Sequence, residues 1–60
     1  GKEDSFYTNL IVSHIYRLKK QYTQALNYID VAIKKAQPFD DIEYAKAYKQ
    51  EILDEKSNNK

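Results

Sequence analysis

The 60-residue sequence contains no cysteine and no methionine, its only glycine is Gly1, and Pro38 is its only proline. Without cysteine there is no disulfide and no thiolate metal site to reinforce a small core. Without internal glycine there is no phosphate-cradling glycine-rich loop. The apolar residues are interrupted every few positions, so no run approaches the roughly 18 to 20 residues of a membrane span or the core of a signal peptide. A cytoplasmic location is therefore the expectation. Charge of one sign is also lacking: ten Lys and Arg against nine Asp and Glu leave a formal net charge of +1, far from the excess that marks a nucleic-acid footprint. Arg17, Lys19, Lys20, Lys34 and Lys35 nevertheless gather in the first part of the chain, and Asp40, Asp41, Glu43, Glu51, Asp54 and Glu55 in the second. Cations at helix C-termini and acids at a helix N-terminus account for this through the macrodipole. A basic patch for an acidic partner is the alternative. A chain with neither a start residue nor a turn glycine is expected to be a piece of a longer protein, with Gly1 a remnant of tag removal.

What is present is helical periodicity and an unusual aromatic supply, six tyrosines and two phenylalanines. A chain this short buries only about 60% of its unfolded surface, and tyrosine suits half-buried positions because its ring packs while its hydroxyl reaches water. The spacing predicts an all-α fold of three helices. The first runs from Ser5 or Phe6 to Lys19 or Lys20, capped by Asp4 or Ser5. Its apolar residues Phe6, Tyr7, Leu10, Ile11, Val12, Ile15, Tyr16 and Leu18 exceed one stripe of roughly 100°, so contact on more than one side is expected. The second helix is expected from about Thr23, as N-cap, to Ala36 or Gln37, stopped by Pro38. The short connection at Lys20–Tyr22 makes it the antiparallel neighbour of the first. Tyr22, Ala25, Ile29, Ala32 and Ile33 trace its inner face, and the small Ala25 and Ala32 predict a close helix approach. The third helix is expected from a cap at Asp40 or Asp41, with Glu43 completing a capping box, to Glu55 or Lys56. Its inner face is Ile42, Ala45, Tyr48 or Lys49, and Ile52, widened by Tyr44 and Leu53, with Lys46, Lys49, Gln50, Asp54 and Lys56 outside. Residues 1–4 and 57–60 read as disordered ends.

Two antiparallel helices in just over thirty residues, with small residues at the contacts and a proline after the second, resemble a tetratricopeptide repeat over Asn9–Pro38. Val12, Ser13 and Tyr16 stand where that family has a bulky residue, a small one and a tyrosine. Tyr22 and Ala25 match its aromatic and first alanine, and Ile29 and Ala32 a bulky residue and second alanine. Asn9 replaces a frequent aromatic, Lys20 the favoured turn glycine, and Pro38 falls one residue late. The same spacings would serve a helical hairpin of another bundle or solenoid. Tyr44, Ala45 and Tyr48 repeat the bulky, small and tyrosine order. With no partner helix after them, the third helix is expected to close the hairpin as a terminal cap.

The resemblance implies a protein- or peptide-binding scaffold whose first helix faces a concave groove with Tyr7, Leu10, His14, Arg17 and Leu18, and Ile11 at its border. Arg17 could pair there with a partner's carboxylate. The clamp by which some family members hold a peptide's terminal carboxylate with lysine and asparagine is not supported, since Leu10, Ile11 and His14 occupy those places. Two other readings stand beside this one. One is a structural element that terminates a solenoid or self-associates as a homodimer, with no ligand of its own. The other is a DNA-binding helical pair reading through Gln24–Lys35, disfavoured by Asp30 in the outward row and by the near-neutral charge. No cofactor and no enzymatic activity are expected: adjacent Ser13 and His14 point about 100° apart on a helix, and a single histidine makes no two-histidine metal site.

Overall fold

Ser5 starts the first helix. In the computed structural model, which describes residues 5–58, its hydroxyl accepts from the Thr8 amide at 3.2 Å, and its carbonyl takes both the Asn9 amide and Asn9 Nδ2. The N-cap is thus Ser5, with Asp4 outside the described residues. Three helices follow, α1 Phe6–Leu18, α2 Tyr22–Lys35 and α3 Ile42–Asn58, and the described residues contain no strand.

α1 ends in a left-handed turn. The Lys20 amide donates to the Arg17 carbonyl and the Gln21 amide to that of Tyr16, both at 2.9 Å, while Lys20 sits at φ 64°. This pair of bonds is a Schellman closure, in which the left-handed position ordinarily favours glycine. The turn changes the expected start of α2. Gln21 occupies the N-cap without a side-chain cap bond, and Thr23 lies inside the first turn, because Tyr22 must already be helical to bury its ring. At the other end Ala36 is extended (ψ 135°), so α2 stops at Lys35, one or two residues before the expected end. The restriction that Pro38 places on its predecessor is followed by extended backbone a residue earlier.

Asp40 and Asp41 divide the work expected of one capping box. Asp40 Oδ2 accepts from the Gln37 amide at 2.8 Å and closes the loop, while Asp41 Oδ1 accepts from the Tyr44 amide at 3.0 Å and caps α3. Glu43 therefore falls at the second helical position, where its carboxylate faces Lys46 at 3.9 Å. α3 continues through Ser57 and Asn58, which were expected in the tail, because nothing in that stretch breaks a helix. Asn59 and Lys60 lie outside the described residues.

The slab they form measures 36 × 20 × 13 Å, with α2 packed on both neighbours. Its core is Phe6, Tyr22, Ala25, Ile29, Ala32, Ala45, Tyr48 and Ile52. Buried Ser13 donates from Oγ to the Ala25 carbonyl at 2.7 Å, which requires the backbones of α1 and α2 to approach at this point. Tyr16 stacks on Tyr28 at 5.5 Å beside that contact, and Val12 is half-buried. Among the described residues the second side expected for α1 is supplied in part, by α3 through His14 and Arg17, while Tyr7, Ile11, Ile15 and Leu18 remain exposed.

Two stability measurements follow. Ala25→Leu should separate α1 from α2 and cost about 1–3 kcal/mol by overpacking, read as a lower midpoint in thermal denaturation; an unchanged midpoint would place Ala25 outside the helix contact. Lys20→Gly should raise stability by about 1 kcal/mol by relieving the left-handed backbone, and no rise would mean that the turn carries no such strain.

Candidate functional site

α1 and α3 both pack on α2 and meet each other chiefly through side chains, so a groove opens between them. Its volume is about 450 Å³, and it is lined by Tyr7, Leu10, Ile11 and His14 from α1 and by Tyr44 and Tyr48 from α3. The helical period delivers this set: residues 7, 10, 11 and 14 share one face of α1, and 44 and 48 stand one turn apart on α3. The Tyr44 and Tyr48 rings lie 6.3 Å apart at 28°. Tyr48 is buried and forms the floor, with its hydroxyl 2.8 Å from His14 Nδ1.

Arg17 closes one end. Its guanidinium lies 5.0 Å from the centre of the Tyr48 ring, within cation–π range. Nη1 donates to Glu51 Oε1 and Nε to Glu55 Oε1, each at 3.2 Å. Hydrogen bonding to Glu55 foremost, then to Tyr48 and Glu51, raises the Arg17 pKa above its already high ordinary value. The Glu55 carboxyl is correspondingly held below the usual range by its hydrogen bond from Arg17. Arg17 is therefore paired within the chain: the carboxylates beside it are those of Glu51 and Glu55 on α3, where a partner's carboxylate was expected. Lys49 is likewise paired, to Asp30 at 2.7 Å.

Of the residues expected to face a partner, Tyr7, Leu10 and His14 come together in the groove and Ile11 joins them. Leu18 does not, standing 68% exposed outside the lining. The contribution of Tyr44 and Tyr48 was missed, because both were assigned to the inner face of α3; their repetition of the α1 order at Tyr44, Ala45 and Tyr48 was the available signal. Among the residues expected to join helices, Ser13, Tyr22, Ala25, Ile29 and Ala32 are buried. Ser13 Oγ is committed to Ala25 while His14 turns to Tyr48, so the two adjacent side chains address different helices. The described residues hold no cluster of three or more potential metal ligands and no helix long and apolar enough to cross a membrane.

A second concavity, of about 630 Å³, lies at the N-terminal end of α1 between Ser5, Phe6, Tyr7, Lys35, Gln37, Phe39 and Asp40. It differs in chemistry: Lys35, Gln37, Asp40 and Ser5 make its wall polar, and Phe39 projects 85% exposed. The α1–α3 groove contains no lysine, arginine, aspartate or glutamate. An uncharged concavity rimmed by aromatic rings suits an apolar or aromatic side chain of a partner.

The Arg17–Glu55 pair adds a small, pH-dependent contribution to stability. Because the folded Glu55 pKa lies below the ordinary value of about 4.5, the contribution is complete above that value and fades as pH falls through the folded pKa. Arg17 keeps its charge throughout. The thermal midpoint should therefore drop slightly as pH falls below the ordinary value of about 4.5 toward the lower folded pKa, and Glu55→Gln should flatten that part of the drop. An equally steep profile in the variant would show that other carboxylates set it.

No family model, no curated protein and no solved structure matches the chain.

Proposed function

We propose that the chain is a protein- or peptide-binding helical module of tetratricopeptide type, in which the α1–α3 groove receives an extended, uncharged segment of a partner. One observation carries this reading: an apolar groove of about 450 Å³ is held open between helices while the cation beside it, Arg17, is already paired with Glu51 and Glu55. Leu10 is half-buried against the core and supplies an apolar wall, and Tyr7 and Tyr44 are 66% and 54% exposed at the two lips. Rigid aromatic rings lose little conformational freedom when they bind, which is why they concentrate at binding hot spots. The Tyr48 and His14 polar atoms and their neighbours offer a partner's backbone a donor or an acceptor.

The proposed module has the order of the repeat family: small residues at the helix crossings, the first helix lining the groove, and a third helix in the place where a following repeat would begin. The rival reading, a terminating or self-associating element without a ligand, draws on the apolar surface of α1 beyond the groove. A DNA-binding role has weaker support, since Asp30 and Lys49 neutralise one another on the surface of α2 and α3 and nothing offsets the near-neutral total charge.

Panning a displayed peptide library against the immobilised chain tests the proposal. Selected peptides should be rich in apolar or aromatic residues, and Tyr44→Ala combined with Tyr7→Ala should weaken their binding on the order of tenfold or more at unchanged helicity. Peptides that bind the double variant as tightly as the parent would remove the groove as the site.

A further inference from the structure

α1 carries a second apolar row that the groove does not use. Ile15 and Leu18 lie outside the groove lining, at 45% and 68% exposure, and Ile11, at 56%, borders both surfaces. With half-buried Thr8 they form the series Thr8, Ile11, Ile15, Leu18, in steps of three, four and three. That spacing keeps side chains aimed at one partner helix laid along the same face, with β-branched Ile15 and Leu18 at alternating seam positions. From Ser5 to Tyr16 the helix has no acidic residue, no lysine and no arginine. Its cations Arg17, Lys19 and Lys20 collect at one end.

We infer that this flank is a self-association surface, on which the α1 helices of two copies of the chain pack antiparallel about a twofold axis. The row and the groove meet at Ile11, which lines the groove, whereas Ile15 and Leu18 lie outside its lining. Charge selects the orientation. Parallel packing would set Lys19 and Lys20 of one copy beside those of the other, whereas antiparallel packing carries each pair to the uncharged N-terminal half of its neighbour. A row with no charge also offers nothing to repel an identical row, and a twofold contact closes on itself rather than growing into a filament. Size sets the strength. A helix of 13 residues is about 20 Å long, so a seam confined to it falls short of the roughly 800 Å² per partner of a standard stable interface. The dimer is accordingly reversible and concentration-dependent.

The absence of cysteine from the sequence makes crosslinking a clean test. Sedimentation equilibrium from micromolar to millimolar chain should show the average mass rising from one chain toward two. Ile15→Lys and, separately, Leu18→Lys should raise the dissociation constant on the order of tenfold or more with circular dichroism unchanged, both positions being exposed. In the antiparallel register Ile11 of one copy faces Ile15 of the other. An oxidised equimolar mixture of Ile11→Cys and Ile15→Cys chains should therefore give mainly the mixed disulfide. A monomer at every concentration, or dimerisation unaffected by both lysine variants, overturns the inference and assigns the flank to a different partner. A majority of like-with-like disulfides overturns the antiparallel arrangement.

Discussion

The fold depends on one close approach, where Ser13 of α1 meets Ala25 of α2. Both are fully buried, and the Ser13 hydroxyl donates to the Ala25 carbonyl. A buried hydroxyl without a partner would cost about 1–3 kcal/mol, and the acceptor it finds is a backbone atom of the neighbouring helix. Only small side chains at the crossing let the hydroxyl reach it. Ala32 and Ala45 are likewise fully buried, together with the larger Ile29 and Ile52. Large residues occupy the gaps and small ones the crossings, so three short helices reach close packing without a disulfide or a metal.

Anchoring both outer helices on α2 has a functional consequence. α1 and α3 do not share a packed apolar seam, so their facing sides remain partly open, and the groove is what the layering leaves between them. It is closed at one end by the Arg17 cluster with Glu51, Glu55 and Tyr48, and crossed at the middle by the His14–Tyr48 bond. Toward Tyr7 and Tyr44 it is open. The polar clamp fixes the spacing of the two helices while contributing little net energy, since its carboxylates stand in water and exposed ion pairs are worth about 0–1 kcal/mol. Its effect is geometric: it sets the width of an apolar slot whose binding surface is uncharged.

Much of this architecture was legible in the sequence because helix faces follow a fixed period. The three helices, their order and the burial of Ala25 and Ala32 follow from spacing, and the grouping of Tyr7, Leu10 and His14 on α1 from the repeat resemblance. What spacing could not give was pairing between elements. Arg17 was read as available to a ligand because Glu51 and Glu55 lie 34 and 38 residues away, and only the angle of α3 brings them together. Tyr48 was placed on an inner face, which is correct for its ring, but the reach of its hydroxyl to His14 depends on the same angle. Leu18 shares the apolar face of α1 yet lies beyond the end of the groove, where Arg17 has closed it. The helix ends shifted by one to three residues for local reasons, namely the left-handed Lys20 turn, the extended Ala36 and the division of capping between Asp40 and Asp41.

The apolar surface left on α1 is a counterpart of the thin core. In a slab 13 Å deep the outer helices α1 and α3 are covered chiefly from the side of α2, so a chain that needs apolar residues to fold will expose some of them on the far side. That argument accounts for scattered exposed residues, which are common on protein surfaces, but not for their order. Ile11, Ile15 and Leu18 follow helical steps of four and three, and from Phe6 to Tyr16 α1 has no lysine, arginine or acid to break the row. Random exposure would place charges there, as it does along the outer face of α3, where Lys46, Gln50, Asp54 and Lys56 alternate with the buried positions. The contrast between these two helices is the reason to assign contact to α1 and solvent to the outer face of α3. Any partner that covers α1 also adds to the stability of a small domain, because binding the folded state alone shifts the folding equilibrium by mass action. On the proposed reading, recognition and folding draw on the same apolar residues.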